Sequence, residues 1–396
     1  MTVLVVNAGS SSLKFRVFDA RDRAAPRPLA RGTVERIGAS PRATFQREGD
    51  APLANEIEAA DHAAALSRAL AWIRSLELPP IDAVGHRVVH GGERFRRSVL
   101  IDDQVLDAIE QLESLAPLHN TPGLAAIRAC RDALGQTMPM VAVFDTSFHA
   151  TLPEPAYRYA IPWELALAHG VRRFGFHGSS YRHVLARYAE LAGVPIERVT
   201  IVALHLGAGS SATAIKNGRS VDTSMGLTPL EGLMMATRSG DLDPSIVGFL
   251  SRAAGVPVEE VERWLNQRSG VLGIAGTSHD FRDLLTRDDP RARLAVEMYC
   301  SRARKFIGAY LAALGGADAV VFTGGVGEHQ PEIRARICAH MEWCGLALDE
   351  ERNRAAIGSE SVISSTASRR LRALVIPTDE ELVIARDTLE CVRTSP

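Results

Sequence analysis

Cysteine is scarce and odd in number. Cys130, Cys300, Cys338, Cys344 and Cys391 are the five in 396 residues, which excludes a disulfide framework and points to reduced cytosolic thiols. Cys338, His340 and Cys344 lie close together but lack a second ligand pair at zinc-site spacing, so they read as residues of a helix over "PEIRARICAHMEWCGL". Long apolar runs are missing too. None approaches the roughly 20 residues of a membrane span, and no charged segment leads into a short apolar core as in a secretory signal. A cytoplasmic protein with no membrane partner is expected. Neither charge sign prevails, with 45 Lys and Arg against 47 Asp and Glu, so there is no broad basic field for nucleic acid. Basic residues that matter must act locally.

What is present is an ordinary globular composition, 46% hydrophobic and 23% charged. The length exceeds what one core organises, so two domains are expected. Short β-rich runs (Val3–Ala8, Met140–Thr146, Thr200–Leu206, Ala319–Gly324, Leu371–Pro377) alternate with helical segments such as Asp61–Leu76 and "RARLAVEMYCSRARKFIGAYLAALGG". That alternation predicts an α/β protein. "NTPGLAAIRACRDAL" predicts a helix with Thr121 as N-cap and Pro122 at its first position. Residues 21–55 read as hairpins and loops.

A weak internal repeat is more informative. "LVVNAGSSSLKF" (Leu4–Phe15) and "LHLGAGSSATAI" (Leu204–Ile215) both run from apolar residues through Ala-Gly-Ser-Ser and back. A third glycine-rich turn, "VVFTGGVGEH" (Val320–His329), follows another β-run. Glycines let backbone N–H groups approach phosphate oxygens, hydroxyls such as Ser10 and Ser12 add donors, and Lys14 adds a point charge. The spacing is neither that of a P-loop nor of a dinucleotide-binding turn.

Several side chains are candidates for chemistry, each with a bland alternative. Arg87 in "VGHRVVHGGERF" and Arg238 in "PLEGLMMATRSGDLDPS" sit among glycines and apolar residues. Two guanidinium groups can hold a carboxylate and a moving phosphoryl group; a solvated arginine is the competing account. Asp145 ends a strand in "FDTSFH", suited to Mg²⁺, to general-base work, or simply to starting a turn. His177 in "RRFGFHGSSYRHV" precedes a helix capped by Ser179 or Ser180, as a reaction-centre donor or a packed loop residue. Glu380 and Glu381 in "IPTDEELVIARD" start a helix, where the dipole alone favours acids.

The motifs "VLVVNAGSSSLKF", "HRVVHGGE", "PLHNTPGL", "FDTSFH", "FGFHGSSYRHV", "DTSMGLTPLEGLMMATRSGDLDP", "FTGGVGEH" and "IPTDEELVIARDT" span the chain. Together they resemble the acetokinase (acetate kinase) family of the actin/Hsp70/sugar-kinase superfamily. The resemblance implies an α/β fold: a duplicated actin-like (ribonuclease H-like) pair of domains with an interdomain nucleotide cleft. The N-terminal domain would cover 1–148, completed by a C-terminal helix at about 380–396. The C-terminal domain would cover 149–379 and carry the nucleotide loops. The implied reaction is reversible phosphoryl transfer from ATP to acetate, giving acetyl phosphate and ADP, with Mg²⁺ (or Mn²⁺ in its place), in a homodimer.

By the same resemblance Asn7 and Glu380 are metal-associated, and Asp145 is the catalytic aspartate. Acetate is already ionised at neutral pH, so Asp145 is expected to position the metal or its waters more than to act as a base. Arg87 corresponds to the substrate-carboxylate arginine, and His177 and Arg238 to the transition-state stabilisers. Val89, Leu118, Phe176 and Pro229 correspond to the pocket for the methyl group. Lys14, Ser10, Ser12, His205, Leu206, Gly207, Ala208, Gly209, Asp280, Phe281, Arg282, Gly325, Val326, Gly327, Glu328 and His329 correspond to nucleotide contacts. Two positions depart from the family pattern: Ala208 stands where H-L-G-N-G has Asn, and His329 where G-I-G-E-N has Asn. Loss of an amide at 208 bears on nucleotide binding or donor preference and leaves the catalytic set intact. The rival readings are a propionate or other short-chain carboxylate kinase, a non-catalytic actin-like ATP-binding module, and a serine hydrolase, which lacks a G-x-S-x-G elbow.

Overall fold

Strand alternation decides where the N-terminal core lies. In β1 (Thr2–Gly9) Val3 and Val5 point to one side and Leu4 and Val6 to the other, and all four are buried, so both faces of this sheet are covered. The computed structural model describes residues 1–22, 25–113, 117–366, 368 and 370–394, without the side chains of 117–119. The chain forms two compact units, residues 1–148 with 379–396, and residues 149–378.

The first unit adds β2 (Ser12–Asp19), β3 (Arg27–Glu35), β4 (Arg42–Arg47), β5 (Leu53–Glu56), β6 (Ala83–Val88), β7 (Val99–Leu100) and β8 (Met140–Phe144). Their order in the sheet is β5-β4-β3-β2-β1-β6-β8-β7. Leu4, Val6, Leu13 and Phe15 pack with Leu66, Leu70 and Ile127 of the helices His62–Ser75 and Pro117–Leu134. Val3, Val5, Val141 and Val143 pack with Ile384, Ala385 and Leu389 of the last helix, Glu380–Thr394. That helix comes so close that a β-carbon on Gly85 would stand 2.3 Å from Thr388 Oγ1 and 2.7 Å from Ile384 Cγ2.

The second unit contains β9 (Thr200–Leu206), β10 (Ser210–Lys216), β11 (Arg219–Thr223), β12 (Ala319–Thr323), β13 (Ser361–Val362) and β14 (Arg372–Val375), ordered β11-β10-β9-β12-β14-β13. Its core is built on the long helix Pro290–Leu314, capped by the Asp289 side chain and stopped by left-handed Gly315. The two sheets share one plan. A central strand (β1 or β9) pairs antiparallel with its hairpin partner and parallel with β6 or β12, next to which β8 or β14 also runs parallel. A short antiparallel strand closes the edge. The repeat seen in sequence is thus a repeat of topology, though its hairpins turn at different places. The first reverses at Ser10–Ser11 and the second at Gly207–Gly209.

The structure corrects several local expectations. The hairpins expected in residues 21–55 are present as the meander β3 to β5; other expectations change. The helix expected to begin at Thr121 and Pro122 begins at Pro117, with Pro122 inside it; the first-position logic belongs to the earlier proline. His177, not Ser179 or Ser180, sits at the N-cap of the helix Gly178–Ala192, and both serines are buried within that helix. The helix containing Cys338 stops at that residue, and His340 is left-handed at φ 64°, so His340 and Cys344 lie outside it. Among the described residues no helix is long and apolar enough to cross a membrane.

Candidate active site

The candidate residues fall into two clusters, one in each unit. In the first, β1, β6 and β8 deliver Asn7, Arg87 and Asp145 at their carboxyl ends, where open α/β sheets bind ligands. Lys14 lies directly across the hairpin from Asn7, so the two side chains share a face. Arg87 and Asp145 form a bidentate pair: Nη2 donates to Oδ2 at 2.6 Å and Nε to Oδ1 at 3.0 Å. Arg87 Nη1 donates to Asn7 Oδ1 at 3.3 Å, and Glu380 Oε2 lies 3.8 Å from Nε. Asp145 is 1% exposed. With Nε and one Nη2 hydrogen given to Asp145 and one Nη1 hydrogen to Asn7, one hydrogen on each Nη is left to meet a second carboxylate.

Electrostatics here favour a bound cation. Burial pushes the Glu380 carboxyl above its ordinary range; Arg87 opposes this and Asp145 adds to it. Burial likewise raises Glu381, with Glu380 contributing. Burial by itself would lower Arg87, but Asp145 and Glu380 outweigh it and hold the guanidinium firmly charged. Asp379, the remaining acid, is paired with Arg16 at 2.9 Å. A carboxylate excess over Arg87 and Lys14 is what a hard divalent cation relieves. Among the described residues no three His, Cys, Asp or Glu side chains form a metal cage. Asn7 and Glu380 offer oxygen donors of the kind a hard divalent cation takes. Val89 is half-buried and follows β6 directly. The turn beyond it is fixed by Asn120, whose amide bridges the His90 backbone at 3.0 Å on both sides. The Leu118 side chain lies outside the described residues.

In the second unit His177 and Arg238 converge on the β9–β10 turn. A β-carbon on Gly209 would stand 3.4 Å from His177 Nε2 and 3.5 Å from Arg238 Nη1. Arg238 is steadied by Pro229, whose carbonyl accepts from Nη1 at 3.0 Å. Its loop is held from beneath by Arg173, which donates to the Thr223, Ser224 and Met225 carbonyls and pairs with Glu231 at 2.6 Å. His177 occupies left-handed backbone (φ 59°, ψ 27°), unusual for a residue with a β-carbon. Its ring stacks on His205 at 4.1 Å. Phe176 beside it is buried and Pro229 half-buried.

Of the expected nucleotide residues, Ala208 is exposed at the turn tip, next to half-buried Gly207 and Gly209. Ser10 is exposed on the other hairpin and Ser12 half-buried. Leu206 is buried beneath its turn. Gly324–His329 is a short helical turn rather than an open loop. Gly324 enters it at φ +76°, where a β-carbon would lie 2.7 Å from the Leu206 carbonyl oxygen. Gly325 and His329 are exposed, Val326 half-buried, Gly327 buried. The Glu328 carboxylate is turned inward, accepting from Gly324 N–H at 2.8 Å and Thr378 N–H at 3.0 Å. Asp280 caps Phe281–Leu284 and pairs with Arg282 at 2.6 Å, while Phe281 packs on Tyr299.

Arg334 was not evident from sequence. It is fully buried, forms no ion pair among the described residues, and donates to Asn353 Oδ1 and to the carbonyls of Gly327, Glu328, Asn353 and Ala356. Burial lowers its pKa to about 10. It fastens the Gly324–His329 turn to the segment 353–356.

Residues 2–386 match the family model described as the acetokinase family. The acetate kinase of Solibacter usitatus (strain Ellin6076) is 51% identical over 412 residues, covering 100% of this chain and 99% of that protein. Among solved structures, Porphyromonas gingivalis acetate kinase has a TM-score of 0.90 at 41% identity, covering 99% of each chain. A propionate kinase from Francisella tularensis has a TM-score of 0.91 at 38% identity, covering 98% of this chain and 99% of the other.

Proposed function

The chain belongs to the acetokinase family, and we propose that it is a kinase transferring the γ-phosphoryl group of ATP reversibly to acetate, giving acetyl phosphate and ADP. The observation that carries this reading is the meeting of His177 Nε2 and Arg238 Nη1 at the glycine turn. An imidazole and a guanidinium beside a turn without side-chain bulk suit the equatorial oxygens of a phosphoryl group in flight.

Arg87 binds the acceptor through its Nη1–Nη2 edge while Asp145 fixes its plane. Acetate arrives ionised, so no base is required, and Asp145, already shared with Arg87, serves orientation. Val89, Leu118, Phe176 and Pro229 are assigned to the methyl group. Lys14, Ser10 and Ser12, with the turns at His205–Gly209 and Gly325–His329 and the Asp280–Arg282 segment, are assigned to the nucleotide. Asn7 and Glu380 would hold Mg²⁺, which supplies charge neutralisation between phosphates when bound. His177 and Arg238 donate to the moving group as its bonds loosen, with no protein-bound intermediate. We assign a cytosolic homodimer. Exposed Trp163, Leu165 and Leu167 on one short helix, all at least 53% accessible, are consistent with an apolar contact.

Arg87→Ala and Arg238→Ala test the roles. Each is expected to cost on the order of 10²–10³ in turnover; Arg238→Ala should preserve the melting temperature, whereas Arg87→Ala leaves buried Asp145 unpaired and should lower it as well as raise KM for acetate. Near-normal rates in both variants would refute the assignment.

A further inference from the structure

The ring of His177 is held from behind. Its Nδ1 lies 2.8 Å from Ser211 Oγ, and Ser211 Oγ lies 2.5 Å from the Tyr181 hydroxyl. Ser211 and Tyr181 are each 0% exposed. Tyr181 stands one helical turn after His177, with its N–H donating to the His177 carbonyl at 3.1 Å, so the sequence spacing itself brings phenol and imidazole to the same serine.

A neutral imidazole donates from only one nitrogen, and the partner of the other nitrogen decides which. Ser211 has one proton and two neighbours. Of these the imidazole nitrogen is the better acceptor and the phenol the better donor, since its ring delocalises oxygen charge. The chain of protons therefore runs from Tyr181 O–H to Ser211 Oγ, and from Ser211 O–H to His177 Nδ1. Burial pushes the Tyr181 pKa up to about 12, so the phenol keeps its proton. Stacked His205 is served in the same manner, with Thr378 donating to Ser180 at 2.9 Å and Ser180 lying 2.8 Å from His205 Nδ1.

We propose that Tyr181, acting through Ser211, is a positioning residue that fixes His177 as the Nε2–H tautomer and so makes Nε2 a donor towards the phosphoryl group. This rests on the phosphoryl-transfer reading of the site. The phenol also meets the Thr213 hydroxyl and a backbone hydrogen bond at His205. Donation to Thr213 instead would turn Ser211 into an acceptor and place the proton of His177 on Nδ1.

The test is ring ¹⁵N NMR of the full-length protein labelled at histidine, with Tyr181→Phe, Ser211→Ala and a His177→Gln variant for assignment. Wild type is expected to show a pyrrole-type Nε2 and a pyridine-type Nδ1 at His177, moving towards a tautomer mixture in Tyr181→Phe and Ser211→Ala. The kcat of Tyr181→Phe should fall roughly fivefold to tenfold with KM values unchanged. An Nδ1–H tautomer in wild type would overturn the proposal, as would unchanged ring shifts in Tyr181→Phe. Should Tyr181→Phe fail to fold, Ser211→Ala gives the same readout. An Nε2–H ring in a wild type that forms no acyl phosphate would leave the relay standing and remove the kinase reading.

Discussion

Replacing Gly209 by alanine adds one methyl group where the account puts a phosphoryl oxygen. An oxygen held between His177 Nε2 and the Arg238 guanidinium would stand about 2.9 Å from each donor nitrogen. The new β-carbon would lie 3.4 and 3.5 Å from those atoms, so methyl and oxygen compete for one space. The fold should tolerate the change. Gly209 is not in left-handed backbone, the new contacts are close to ordinary packing, and alanine restricts the unfolded chain. Loss of even one such donor costs about 2.7–4 kcal/mol of transition-state stabilisation, or about 10²–10³ in rate. Gly209→Ala should therefore lower kcat at least about 10²-fold, with a melting temperature equal to or above wild type. Hydroxylamine trapping of acyl phosphate gives the rate and circular dichroism the melt. A folded variant within threefold of wild-type turnover would show that the phosphoryl group does not pass over this turn.

Three further outcomes follow from the packing. Gly85→Ala should destabilise the first unit by about 1–3 kcal/mol through overpacking, because its β-carbon meets Thr388 and Ile384; urea unfolding measures this. Arg334→Met strands the carbonyls of Gly327, Glu328, Asn353 and Ala356. It should cost about 1–3 kcal/mol or more and raise the KM for ATP more than that for acetate in steady-state assays. Burial depresses His149 from 6.5 to about 4 and His86 to about 3. Folded-state pKa values below the unfolded ones mean stability that is present above pH 6.5 and lost as pH falls towards 4. Unfolding free energies should decline across that window, and His149→Gln should flatten the slope.

Much of the site was legible because its chemistry is local in sequence. The apolar run into Asn7 and its serines is a hairpin, "TIVALHL" is β9 residue for residue, and Arg87 and Asp145 stand at strand ends as their motifs suggest. What stayed hidden depends on distant partners. Arg334 reads as one more helix arginine until segments 327–328 and 353–356 close around it. The inward turn of the Glu328 carboxylate was hidden as well, because Thr378 donates to it across 50 positions. The left-handed backbone at His177 leaves no signal in the sequence, since a residue with a β-carbon adopts it only occasionally. Pro122 misled for the opposite reason. A proline that looks like a helix start was preceded by another, Pro117, that is one.

The most direct measurement is ATP-dependent acyl phosphate formation with Mg²⁺, trapped as hydroxamate, across formate, acetate, propionate and butyrate. Acetate should give product at the highest kcat/KM, stoichiometric with ADP. A propionate maximum would keep phosphoryl transfer and change the acid. No hydroxamate from any acid, in a protein that still binds ATP, would rule out phosphoryl transfer to a carboxylate.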